Sequence, residues 1–243
     1  MTYSVTTQTP TSRIASTLCL ISIAVLILLP FFAGRGTIQD MFFILTMLVL
    51  AQFWNLLAGY SGLVSIGQQA FVGIGAYALF GVVILSGLDP VPAILIAGVG
   101  ALIIAVPTAF FAFRLNGAYF AIGTWVIAEV VRLLVAQWKT LGGGTGTSLP
   151  RDATRDMWFV QSIQDLFGVR GAAARDILAY WLALLLALAT IGGIYWLLRT
   201  RRGLALAAVR DNTEAAKSVG VDAGRMKWIV FLTSAFGTGL AGG

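Results

Sequence analysis

From Met41 to Leu88 the chain runs for about 48 residues without a single charged side chain, and a bilayer's hydrocarbon core needs only roughly 20 apolar residues per helical crossing. That stretch alone holds two crossings. Ile14 to Gly34 supplies one more, and Pro90 to Phe113, Leu115 to Val135 and Ile177 to Leu198 each supply another. A last apolar run begins near Trp228 and reaches the end of the sequence at Gly243, which makes about seven spans. The expected fold class is therefore an all-α integral membrane protein, a polytopic helical bundle. With 58% hydrophobic and 11% charged residues, no soluble core explains the composition.

The basic residues orient these spans. Between positions 199 and 227 lie Arg199, Arg201, Arg202, Arg210, Lys217, Arg225 and Lys227 against Asp211, Glu214 and Asp222. That loop is expected in the cytoplasm. Counting back, the segment 138–176, whose charges nearly cancel, falls outside, and the tail 1–13 falls inside. Residues 14–243 then form one transmembrane domain. The first apolar run exceeds the usual signal-peptide core and is read as a retained span.

Several functions drop out. There is no histidine, and the single cysteine, Cys19, sits inside the first span, so metal, haem and disulfide chemistry find no ligands and no cofactor is expected. No Walker A, H-E-x-x-H or G-x-S-x-G pattern occurs, which leaves no hydrolytic centre on this chain. The net charge of +6 is spread over the span ends, with no soluble basic domain to hold nucleic acid.

Four segments interrupt the apolar pattern. Glycines crowd the stretch from Gly59 to Tyr77, around Gln68 and Gln69. One reading is a tight turn into a closely packed helix, with Gly67 beside Phe71 and Gly73 beside Tyr77 as small-next-to-large contacts. The other is a helix broken at membrane depth, whose freed backbone lines a polar cavity. Next, Glu129 and Arg132 share one face of the fifth apolar run, either as a snorkelling neutralised pair or as polar lining of a pathway. The external segment then opens on a glycine-rich run, residues 141–150. That run lacks the lysine of a phosphate loop and suits a gate or partner contact, and a short surface helix is expected near Ser162 to Phe167.

The fourth interruption is Val209 to Gly220. Asp211 followed by Glu214 has capping-box spacing, and Gly220 suits a left-handed stop, so a helix of about eight residues is expected. So short a helix is marginal alone, and its apolar face of Ala215, Ala216 and Val219 needs another surface. That surface is either a protein partner or anionic lipid.

These residues resemble a known family. Glu214-Ala215-Ala216, three residues, then Gly220 is similar to the EAA signature of ABC importer permeases, and the Arg210-Asp211-Asn212 setting resembles the branched-chain amino acid permeases among them. Asn55 to Gly62 with Ser65-Ile66-Gly67 and Gly73 to Tyr77, then Gly117 to Ile122 with Gly142 to Gly146, match the family in order. Gln68 stands where that family carries histidine.

The resemblance implies a permease subunit of a bacterial plasma-membrane importer for branched-chain amino acids, or for small polar solutes such as urea or amides. Its partners would be separate ATP-binding cassette ATPase subunits, a second similar permease and an extracytoplasmic solute-binding protein. Arg210, Asp211, Glu214, Ala215, Ala216 and Gly220 are then the coupling residues that dock the ATPase. Asn55, Gln68, Gln69, Thr124, Glu129 and Arg132 are candidates for the translocation path. Because the family continues through further spans, a truncated chain is expected. The competing class is an ATP-independent transporter or channel in which Glu129 and Arg132 form an ion relay.

Overall fold

The computed structural model describes residues 10–143, 149 and 158–243, and those residues are helical with short connections and no strand. Helix α1 spans Pro10–Leu28 and ends in a 3₁₀ turn, Leu29–Phe31; α2 spans Arg35–Asn55 and widens into a π turn, Leu56–Tyr60. After a short non-helical connection come α3 (Gln68–Ser86), α4 (Pro90–Ala112) and α5 (Ala118–Ala136). A short α6 (Trp158–Phe167) precedes the longest helix, α7 (Gly171–Arg199), then α8 (Arg201–Asp211), the six-residue α9 (Thr213–Ser218) and α10 (Ala223–Gly242).

Six of these helices, beginning with α1 and ending with α7, are long and apolar enough to cross a membrane. Their lipid-type surface is visible in side chains such as Phe43, Ile103, Leu134 and Leu185, all large, apolar and exposed. The last apolar run forms α10, which packs against α2, α3 and α4 and buries Val230, Phe231 and Ala235.

Without a hydrophobic drive between helices in lipid, close approach of small residues holds such bundles together. On α4 the residues Ala93, Ala97, Ala101, Ala105 and Ala109 recur every fourth position and are fully buried. Against this ladder, α10 brings Gly239, where an added Cβ would lie 2.4 Å from Ala101 Cβ. On the facing helix, a Cβ on Gly75 would lie 2.1 Å from the Gly239 carbonyl oxygen. The small-residue seam thus uses Gly75 and Gly239. The pairs expected from sequence differ: Gly73 has open space around it, and Gly67 abuts the Thr124 backbone, where a Cβ would come within 2.4 Å of the carbonyl oxygen.

The helix ends sort by charge. At one end Arg35, opening α2, pairs with Asp176, opening α7, so these two packed helices run parallel. The opposite end gathers Arg114, Arg199, Arg201, Arg202, Arg210, Lys217, Arg225 and Lys227 with only Asp211, Glu214 and Asp222. The expected surface helix is α6, starting four residues earlier than the Ser162 expected; it seats Val160 and Ile163 and leaves Leu166 exposed. Readings that fall on 1–9, 144–148 and 150–157 lie outside the described residues.

Gly75→Leu should force α3 and α10 apart, since backbone and not a flexible side chain blocks it, and should destabilise the detergent-solubilised protein by about 1–3 kcal/mol or prevent folding. Gly73→Ala should leave the thermal unfolding midpoint unchanged.

Candidate translocation cleft and coupling surface

Between α3 and α5 lies a cleft of about 390 Å³ lined by Gln69, Gly73, Tyr77, Glu129, Arg132 and Val135, among others. Gln69, Gly73 and Tyr77 recur at every fourth position and so stand on one face of α3. Across the cleft, Arg132 Nε donates to Glu129 Oε2 at 2.9 Å, and its Nη2 donates to Oε1 at 2.5 Å, a forked pair one turn apart on α5. Both side chains are about half exposed, at 65% and 48%. The cleft is therefore polar yet electrically balanced, with Ile74, Val131 and Val135 as apolar walls. Tyr77, read from sequence only as a packing partner, contributes a hydroxyl that donates to the Gly143 carbonyl at 2.7 Å, bringing the start of the glycine-rich run over the cleft.

Three other candidates do not face it. Gln68 is buried, and its Nε2 donates to Ser234 Oγ at 2.9 Å, which donates in turn to the Phe53 carbonyl at 3.0 Å. Thr124 is buried and accepts the Ile66 N–H at 3.2 Å. Asn55 folds against the π turn, with its Oδ1 where a Gly59 Cβ would sit. These residues hold the connection between α2 and α3. From Gly62 to Ser65 the chain leaves the helix, then bends and turns at Ile66 and Gly67, and burial alternates residue by residue, with Ser61, Leu63, Ser65 and Gly67 buried and Gly62, Val64 and Ile66 exposed. Gly62 supports the sharp entry at φ 70°. Ser61 to Gly67 is thus the connection between two separate span-length helices, α2 and α3, and of the two glutamines that follow it Gln69, not Gln68, reaches the cleft.

A second cavity, about 560 Å³, opens at the basic end, between the start of this connection, the α4–α5 turn at Asn116 and Gly117, and Arg210, Thr213 and Lys227. Between the two cavities sits a void of about 10 Å³, bounded by Ser65, Gly67, Thr108, Thr124 and Phe231, room for about one water. It shares Ala70 and Ala128 with the α3–α5 cleft.

The polar segment after α8 departs from its expected cap. Asp211 is the last residue of α8; Asn212, extended at φ −156° and ψ 107°, is the cap of α9, and its Oδ1 accepts from the N–H groups of Glu214 and Ala215, both at 3.0 Å. Gly220 at φ 85° closes the helix as expected, with its N–H to Lys217 O and the Val221 N–H to Ala216 O, both 3.0 Å. The apolar face divides. Ala216 is buried with Val209 and Ala223, whereas Ala215 is exposed and Val219 is 77% exposed, so α9 is seated on its own chain while presenting a separate outer face. Glu214 pairs with Lys217 at 2.8 Å. The hydrogen bond from Lys217, then its charge, holds the Glu214 carboxyl below its ordinary 4.5.

Residues 34–243, which take in the cleft, the α2–α3 connection and the capped turn, match the family described as the branched-chain amino acid transport system permease component. The chain belongs to this family. It is 30% identical to the high-affinity branched-chain amino acid transport system permease protein LivM of Escherichia coli (strain K12), across 95% of this chain and 57% of LivM. It is 31% identical to the protein of the same name from Salmonella typhimurium, across 88% of this chain and 53% of that protein. The chain thus spans a little over half the length of these curated relatives. No solved structure matches it. It is a multi-pass membrane protein of the permease class.

Asn212→Ala should remove the α9 cap, costing about 1 kcal/mol, or roughly fivefold in local opening. Hydrogen exchange of the Glu214 and Ala215 amides should quicken accordingly, whereas Asp211→Ala should leave it unchanged.

Proposed function

We propose that this permease carries branched-chain amino acids, or similarly small polar solutes, inward across a bacterial inner membrane, powered by ATP hydrolysis on separate ATPase subunits. The observation that carries the proposal is a balanced, half-apolar cleft at one level of the bundle with a capped, outward-facing helix at its basic end, in a chain of this family. The positive-inside rule puts that basic end, and with it the N-terminus and the 199–227 loop, in the cytoplasm, and leaves 138–176 outside.

An amino acid is a zwitterion, and the cleft answers both of its charges. Glu129 would receive the ammonium group and Arg132 the carboxylate, each exchanging its intrahelical partner for the solute, so that desolvation is shared and no net charge enters the membrane. Ile74, Val131 and Val135 would take a branched aliphatic side chain. An ion relay finds less here, because Tyr77 is the only other titratable group in the cleft lining among the described residues.

At the other end, α9 would seat in a groove of the ATPase. Its exposed Ala215 allows close approach, and Glu214 complements the positive helix start. Glu214 stays charged through neutral pH; docking that uses this charge is present above the ordinary carboxylate range and is lost as pH falls through the lowered value. A second permease of the same kind and an extracytoplasmic solute-binding protein would complete the assembly, the latter setting much of the specificity.

In the complete gene product, Glu214→Arg should abolish co-purification of the ATPase. Persisting uptake with ATP depleted would show an ATP-independent carrier instead. Glu129→Gln and Arg132→Gln should each leave ATPase binding intact and lower amino acid uptake by about tenfold or more, the loss expected for one charged hydrogen bond. Uptake of a neutral amide, where the transporter accepts one, should suffer less.

A further inference from the structure

By sequence position Arg210 flanks the docking helix, where it could meet an acidic partner. Its side chain points instead into its own chain. Nη1 donates to the carbonyl of Gly59 at 3.0 Å, across 151 residues of sequence, and Nε donates to Asp211 Oδ1 at 3.1 Å, which fixes the plane of the guanidinium. The Gly59 carbonyl lies in the π turn, Leu56–Tyr60, at the point where α2 stops and its last carbonyls lose their helical partners. Three residues on, a Cβ at Gly62 would sit 3.5 Å from Arg210 Cγ, so the aliphatic stem lies along the turn as the head group ties it.

That turn begins the connecting segment, Ser61 to Gly67, which lines the basic-end cavity with Ser61 to Val64 and the small void with Ser65 and Gly67. Its attachments are few and directional. The Leu63 N–H bonds back to Leu57 O at 2.9 Å, Trp54 Nε1 holds the Ser65 carbonyl at 3.1 Å, and the Ile66 N–H bonds Thr124 Oγ1 at 3.2 Å. The Thr124 bond is the segment's link to α5, the helix bearing Glu129 and Arg132. Ser65 Oγ, fully buried beside the 10 Å³ void, has no hydrogen-bond partner in this arrangement. The segment is thus gripped at both ends and incompletely satisfied in the middle, as a part with a second position would be.

We infer that Ser61 to Gly67 is the gate between the cleft and the basic-end cavity, and that Arg210 is the positioning residue that moves it with α9. Arg210 lies three residues before the first residue of α9 and shares no flexible connection with it, since Asn212 caps α9 directly after α8 ends. Displacement of α9 therefore reaches the Gly59 carbonyl through one side chain, and passes along the segment to Thr124. The solute meets the gate at Val64, which lines the basic-end cavity and is about half exposed.

This inference rests on the reading of α9 as the ATPase dock, and the test separates the two. The complete gene product, assembled with its ATPase and companion permease in proteoliposomes, is compared as the native sequence, Arg210→Ala and Arg210→Lys. Each also carries Val64→Cys as a reporter together with Cys19→Ser, because Cys19 is the only native thiol in this sequence. In the Arg210→Ala complex the ATPase should remain bound and hydrolyse ATP, solute moved per ATP should fall by about tenfold or more, and the maleimide reactivity of the reporter thiol should stop responding to ATP. Arg210→Lys, which keeps a cationic donor, should restore part of both responses. Native coupling in Arg210→Ala, or a reporter reactivity that still follows ATP there, overturns the inference. Failure of the complex with native Arg210 to retain its ATPase is a different result, and overturns the docking reading.

Discussion

Inside a bilayer each backbone N–H and C=O must find its partner within the protein, because hydrocarbon offers none. Among the described residues most of the chain meets that demand by continuous helix. The connection between α2 and α3, Ser61 to Gly67, is one place among the described residues where it does not, and much of the arrangement around it can be understood as the means of keeping it. Leu57 O takes both the Ser61 hydroxyl and the Leu63 N–H, Trp54 and Thr124 each serve one group of the connecting segment, and Arg210 serves the Gly59 carbonyl. Remove these four contributors and the unwound backbone would have to rewind or find water.

Those contributors come from α2, α5 and α8, so the interruption holds only if the helices are fixed relative to one another. The alanine ladder of α4 and the glycines of α3 and α10 do this by letting backbones meet at distances that any side chain would prevent. Small-residue packing also sets the level of Ser234 on α10, which faces both the Phe53 carbonyl on α2 and Gln68 on α3. One serine hydroxyl thereby joins the last regular turns of α2 to the first turn of α3 across the break.

The spans were legible because uncharged runs of that length have no other home. So was the short polar helix α9, since a polar helix between apolar ones announces itself by contrast. The failures were of partner choice. Asp211 and Asn212 are both good capping residues, and only the backbone, extended at the second and helical at the first, selects Asn212. Gly73 and Gly75 are equally small, but they lie on different faces of α3, one on the cleft and one on α10. Gln68 and Gln69 differ by a rotation of about 100° on an α-helix, enough to bury one against Ser234 and aim the other at Glu129 and Arg132. A spacing rule fixes which residues share a face; it does not say what the face meets.

The two cavities differ in charge, and that difference bears on direction. The α3–α5 cleft carries one acid and one base locked together, whereas the basic-end cavity is lined by Arg210 and Lys227 with no carboxylate in its lining. A zwitterion entering the second cavity keeps a partner for its carboxylate and loses the partner for its ammonium group. On the proposed reading its orientation would thereby be selected as it passes Ser61 to Gly67, carboxylate foremost. Arg210 in that position faces the departing carboxylate with the same guanidinium that holds the Gly59 carbonyl. On the proposed reading an anion arriving there competes for the tie that positions the gate, so passage of solute and release of the segment would be linked through one side chain.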